Sequence, residues 1–236
     1  MFGIRLEGPL FTLIRHAEPS WADPDNGLTL NEPNLSERGR RQCTSLRKSG
    51  RLSSSYSYIV STSPRASETF ELAFPGVEQA NRVDWLREIQ YPASWEGAPR
   101  SEIVALLQSH DSESQVRRKA GHSGGESGAA FIGRVERGWV STLAGIGVDP
   151  DGSTPGLWRV AESALDEKYL IVGHAGSLAV VLAVLMGIRP TTWIRQSLPL
   201  SHCSLTVVEP FRVGEATAFS LRLFNDVSYL PDGLRV

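Results

Sequence analysis

The chain has 236 residues, 41% of them hydrophobic and 21% charged, with a formal net charge of −2. That is ordinary globular composition, the length suits one large α/β domain with two small ones as the alternative, and the near balance of charge gives no footing for nucleic acid or an anionic membrane as partner. Two cysteines, no signal-like apolar N-terminus, and no apolar run near the roughly 20 residues of a membrane span point to a reduced, cytoplasmic protein.

Leu10 to Ile14 is a continuous apolar run, the pattern of a strand covered on both faces in a parallel sheet. DPDNGLTLNEPN follows, dense in Asp, Asn, Pro and Gly, and reads as a loop. LSERGRRQCTSLRKSG predicts a helix capped by Ser36 and stopped at Gly50. YSYIVSTSP is a second strand ending in a polar turn, and RASETFELAF is a helix halted by Pro75-Gly76. NRVDWL reads as a third strand, residues 90–99 as loop, and RSEIVALLQSH as a helix by the spacing of Ile103, Leu106 and Leu107. Residues 111–128 have neither period nor apolar content and read as a mobile connection. A helix over about 129–144 follows, with Phe131, Val135, Trp139 and Leu143 on its apolar side.

GIGVDPDGSTPG reads as loop, LWRVAESALDE as helix and KYLIVGH as a fourth strand. GSLAVVLAVLMG is apolar nearly all round and predicts a helix buried on several sides. SLTVVEPF and AFSLRLFN, either side of a turn with Gly214, predict a hairpin closing one sheet edge. Strands alternating with helices give an α/β fold, a three-layer α/β/α sandwich with a mostly parallel sheet. The expected organisation is one domain over 1–236, with a loop and helix insertion around 98–145.

In such sheets, sites form beyond the carboxyl ends of the strands. Arg15-His16, Ser61 to Arg65, Glu88 and Gly173-His174 all fall there. His16 and His174 are two of only five histidines, and each directly follows an apolar strand. One such histidine is readily a strand-end residue satisfied by a backbone group. Two of them beside Arg15 and Arg65 make a positive pocket that an anion has to fill. Guanidinium forks match phosphate oxygens.

Six blocks of the sequence resemble, in order, those of the histidine phosphatase superfamily, also called phosphoglycerate mutase-like. They are LIRHAEPSW, LSERGRRQ, VSTSPRASETFE, LREIQYPASWEG, GGESGAAFIGRV and YLIVGHAG, within about residues 10–230. The resemblance implies that His16 is a nucleophile forming a phosphohistidine. It implies that Arg15, Arg65 and His174 hold the phosphoryl oxygens, and that Glu88 protonates the leaving alkoxide and then serves as base toward water. Glu18 and Glu126 are the competing carboxylates. Glu96 reads as a structural residue of its turn, and the plain reading of Glu126 is a helix N-terminal charge. For His16 to attack, its other ring nitrogen should donate to a backbone carbonyl. The helix opening at Gly176-Ser177 is expected to aim N–H groups at the same phosphate. Three departures stand out: Ala17 for the more usual Gly, tolerable at negative φ; Ala22 where many members have an Asn that contacts phosphate; and Ala175 for the first Gly after the second histidine.

EIQYPASWEG resembles the phosphatase rather than the mutase type. The expectation is a phosphomonoester hydrolase acting on a small phosphorylated metabolite, with no cofactor, no metal, and a homodimer left open. The alternatives are a mutase-type phosphotransferase and a non-catalytic module of the same fold. A zinc hydrolase using His16, His174 and a carboxylate is disfavoured because no tight ligand spacing is present. Arg117, Arg118 and Lys119 are candidates to cap an anionic substrate, with a solvated charge cluster as the plainer reading. Trp21, Trp85 and Trp95 are candidate apolar walls, with core packing as the plainer role for each.

Overall fold

Two-sided burial organises the centre of the molecule. In β1 (Leu10–Arg15), Phe11 and Leu13 enter one apolar cluster while Ile14 enters another. β2 (Ser57–Ser61) divides Ile59 from Val60 in the same way, and β6 (Lys168–Gly173) divides Ile171 from Leu170 and Val172. The alternation has period two, yet the sequence reads as continuously apolar because both faces are covered. α1 (Glu37–Lys48) and α2 (Pro64–Ala73) cover one face through Cys43, Leu46, Ala66 and Phe70. α3 (Gly128–Gly145) and α4 (Ala175–Leu185) cover the other through Trp139, Leu143, Leu178 and Leu182. These layers are described by a computed structural model for residues 8–22, 30–52, 55–99, 101–105 and 119–236, with the backbone alone for Ala22.

Among the described residues the remaining strands are β3 (Asn81–Val83), β4 (Val148–Pro150), β5 (Trp158–Val160), β7 (Leu205–Val213) and β8 (Ala216–Asp226). The eight run in the order β3-β2-β6-β1-β7-β8-β5-β4. Pairing is parallel from β3 to β1 and antiparallel from β1 to β4, so the sheet is mixed and parallel on one side. The β7–β8 hairpin therefore lies inside the sheet rather than closing its edge. β4 and β5 extend it, and they occupy segments expected to be loop and helix. Their basis is tertiary: Trp158 is 3% exposed, pairs with Thr217 of β8, and is followed by exposed Arg159. Gly152 and Gly156, both at φ +85°, turn the β4–β5 hairpin. The expected third strand ends at Val83 and continues as a 3-10 turn, Asp84–Leu86. Residues 101–105 are helical; Leu106, Leu107, Arg117 and Arg118 lie outside the described residues.

Three parallel strands deliver their carboxyl ends to one edge. β1 and β6 are in a register that sets Arg15 opposite Gly173, and the His16 N–H donates to the Gly173 carbonyl at 2.9 Å. α1 is drawn onto the turn after β1: the Ser36 N–H donates to the Glu18 carbonyl, and the Ser36 hydroxyl accepts from Gly39 N–H. A Cβ on Gly39 would stand 2.2 Å from the Glu18 carbonyl oxygen. Helix propensity alone favours Gly39→Ala by roughly 1 kcal/mol. The close approach predicts the opposite, a loss of about 1–3 kcal/mol in urea unfolding together with reduced activity. An unchanged or raised midpoint would refute this packing.

Candidate active site

At the end of β1, His16 is buried, and its Nδ1 lies 2.7 Å from the Ala17 carbonyl oxygen. A carbonyl only accepts, so Nδ1 carries the proton and Nε2 is the lone-pair nitrogen. Arg65 Nε donates to that Nε2 at 3.3 Å. Arg65 is the second residue of α2, and its Nη1 is held by the Asn31 carbonyl at 2.8 Å and the Ser63 hydroxyl at 3.0 Å. His174 caps α4 at the end of β6, with its ring centroid 4.9 Å from that of His16. His174 Nε2 lies 2.9 Å from Ser61 Oγ, which also accepts the Ser63 N–H. The other ring nitrogen, Nδ1, is buried at the N-cap of α4. Arg15 Nε is buried with no partner among the described residues, while its Nη1 donates to the Leu200 carbonyl at 2.5 Å.

Burial lowers Arg15 and Arg65 to about 10 each, with Glu88 opposing the fall in both cases. Both stay cationic at neutral pH. Burial, then Arg65, His174, Arg15 and His202, drive His16 well below its ordinary value. His174 falls in the same way, by burial first and then by Arg65 and Arg15. The imidazoles are therefore neutral between fixed cations.

The carboxylate that joins them is Glu88. Its Oε2 accepts the Gly176 N–H at 2.8 Å and its Oε1 accepts the Ile89 N–H at 3.0 Å. The opening N–H of α4 at Gly176 is thus used on Glu88, and not held for a phosphate as expected. A Cβ on Gly176 would stand 2.5 Å from Glu88 Oε1, which explains why Gly persists here although Ala175 precedes it. The competing carboxylates are occupied elsewhere. Glu18 ties the nucleophile turn to α1 through Ser36 Oγ at 2.8 Å and Arg38 at 2.7 Å. Glu96 accepts the Leu30 and Asn31 N–H groups and shapes that loop. Glu126 makes a two-point ion pair with Arg134, at 2.8 and 2.7 Å, and accepts the Gln90 N–H. Arg134 in turn donates to the carbonyls of Trp85, Arg87 and Glu88, clamping the segment that carries Glu88. Arg15, His16, Arg65, Glu88 and Ala175 line one cavity of about 140 Å³, walled by Trp21, Leu30, Tyr91, Ile103 and Val104. A second cavity abuts it across Glu88, Tyr91 and Arg195.

Residues 11–226 match the family model of the histidine phosphatase superfamily, branch 1. The chain belongs to this superfamily. Its fold is similar to that of Bacillus stearothermophilus YhfR, with a TM-score of 0.66 and 23% identity over 94% of this chain and 98% of that one. It is also similar to the alpha-ribazole phosphatase of Shigella flexneri, at 0.64 and 20% over 92% and 96%. The mycobacterial glucosyl-3-phosphoglycerate phosphatase Rv2419c gives 0.62 and 20% over 92% and 98%. No curated protein matches the sequence.

Ala17 is fully buried with no positive φ, and its N–H donates to Thr69 Oγ1 at 2.9 Å, so the missing Gly costs nothing in backbone strain. The Ala22 side chain lies outside the description. Trp21 and Trp95 join Tyr91, Leu30 and Ile103 beside the cavity, whereas Trp85 packs into the core against Trp139. Lys119 is exposed. Among the described residues no three His, Cys, Asp or Glu side chains are grouped to hold a metal ion. Arg134, Arg195 and His202 escaped the sequence reading. Arg195 lines the cavity near Glu88. Arg134 acts from α3, and only its place in GGESGAAFIGRV hinted at it. His202 precedes a strand instead of following one, yet its ring lies 5.5 Å from His16 and its Nε2 lies 2.7 Å from Arg15 Nη2.

His16, His174 and His202 are all held below their ordinary 6.5 in the folded protein. The unfolded chain takes up those protons first as pH falls, so it binds more protons and stability declines on acidification through about 6.5. Urea midpoints should fall between about pH 7.5 and 5.5, and less steeply for His16→Asn. A flat profile would contradict the neutral imidazole cluster.

Proposed function

We propose that this histidine phosphatase hydrolyses phosphomonoesters of small metabolites through a phosphohistidine on His16. The observation that carries the reading is the tautomer of His16. With Nδ1 tied to the Ala17 carbonyl, Nε2 presents its lone pair among cationic and N–H donors. One of those donors, Arg15 Nε, is buried with no partner among the described residues. Buried polar groups are nearly always paired, and a phosphoryl oxygen would complete it.

The steps follow from the groups present. His16 Nε2 attacks phosphorus as the ester P–O bond breaks, and Glu88, which takes up a proton as the anionic ester offsets the two guanidiniums, gives that proton to the departing alkoxide. Arg15, Arg65 and His174 meet the charge that gathers on the phosphoryl oxygens. Glu88, now a carboxylate, takes a proton from water as that oxygen attacks phosphorus. The P–N bond breaks, phosphate leaves and neutral His16 returns. Two guanidiniums supply the positive charge, so the reading needs no metal. The EIQYPASWEG loop supports hydrolysis over mutase transfer. The apolar walls of Trp21, Leu30 and Tyr91 suit the organic part of a small ester. Cys43 and Cys203, both buried free thiols, fit a cytoplasmic setting.

His16→Ala should abolish hydrolysis across a panel of phosphomonoesters while far-UV circular dichroism stays unchanged; retained activity would rule out the mechanism. Glu88→Gln should cost about 10²–10⁴-fold with alkyl phosphates and far less with aryl phosphates, whose leaving groups need little acid help. Equal losses would move the acid role away from Glu88.

A further inference from the structure

The mechanism above leaves His202 without a role. A guanidinium only donates, so in the 2.7 Å contact with Arg15 Nη2 the acceptor is His202 Nε2, and the ring is neutral with its proton on Nδ1. With Nη1 held by Leu200, both ends of the Arg15 fork are fixed by the same loop, and Nε is left buried with no partner among the described residues. That loop is itself pinned to the site. Cys203 adopts φ +57°, and its N–H is shared between the Arg15 and His16 carbonyls at 3.1 and 3.2 Å. Ser201 N–H donates to Asn225 Oδ1 at 2.6 Å, tying the loop to β8. His202 is not among the residues lining the phosphoryl cavity, whereas Arg15 and His16 are. The charges that face it are Arg15 from β1, Arg38 from α1 and Arg65 from α2, all positive, with the neutral His16 ring beside it. Nothing there favours a charged imidazole.

We propose that His202 is a positioning residue of the phosphoryl site, holding Arg15 through an acceptor nitrogen so that the remaining Arg15 N–H groups meet the phosphoryl oxygens. This rests on the phosphatase reading. It differs from a merely structural role because its whole effect passes through Arg15.

The test is a double-mutant cycle on equilibrium binding of orthovanadate and on hydrolysis of p-nitrophenyl phosphate. His202→Ala should weaken vanadate binding about tenfold, the scale of one lost hydrogen bond to a charged group. In an Arg15→Ala background the same change should cost less than about twofold. His202→Asn, which offers an amide oxygen as acceptor, should recover most of the loss, and it carries the comparison if the Ala variant does not fold. Equal losses in both backgrounds, no loss in either, or an Asn variant as impaired as Ala would each overturn the positioning role. A wild-type protein that neither binds vanadate nor hydrolyses the ester would instead overturn the phosphatase reading, and this proposal with it.

Discussion

The parallel register of β1 on β6 is the constraint from which the site follows. It sets Arg15 opposite Gly173, so the next residue on each strand is a histidine, and the two rings come within 4.9 Å. β2, parallel on the other side of β6, brings Ser61 to His174 and launches α2 with Arg65 at its second position. The three segments that carry these groups lie far apart along the chain. Their meeting depends on three strands ending at one edge, which in turn depends on apolar residues of both parities being buried between two helical layers.

That convergence is electrostatically unfavourable by itself. Two buried guanidiniums and two imidazoles occupy one pocket, and burial already pulls both arginines down to about 10. The protein offsets this with one carboxylate, Glu88, and by keeping the imidazoles neutral. Glu88 is held by backbone N–H groups from two segments, and its own segment is clamped by Arg134 and Glu126. The residual positive character is what a dianionic phosphoryl group would neutralise. Stability and function are therefore linked through one set of groups.

Much of this was legible in the sequence, for particular reasons. β1, β2 and β6 announce themselves as apolar runs, and a polar residue after a buried strand stands out against them. Ser36 and Gly50 mark the start and the stop of α1. The choice among four glutamates was harder, because it depends on which carboxylate the Gly176 N–H reaches across 88 positions of chain. β4 and β5 were not legible: three-residue strands have too little pattern of their own and form because β8 offers Trp158 a partner. His202 escaped for a topological reason, since it precedes β7 and reaches the site only because β7 runs antiparallel beside β1.

The central claim is that His16 becomes covalently phosphorylated. The direct measurement is rapid mixing of the enzyme with a phosphomonoester, quenching in alkali where phosphohistidine survives, and peptide mass spectrometry. The account predicts one phosphoryl group on the peptide containing His16, appearing within a turnover and decaying as substrate is exhausted. Turnover with no phosphoryl group on that peptide at any time point, or with the group on another residue, would contradict it.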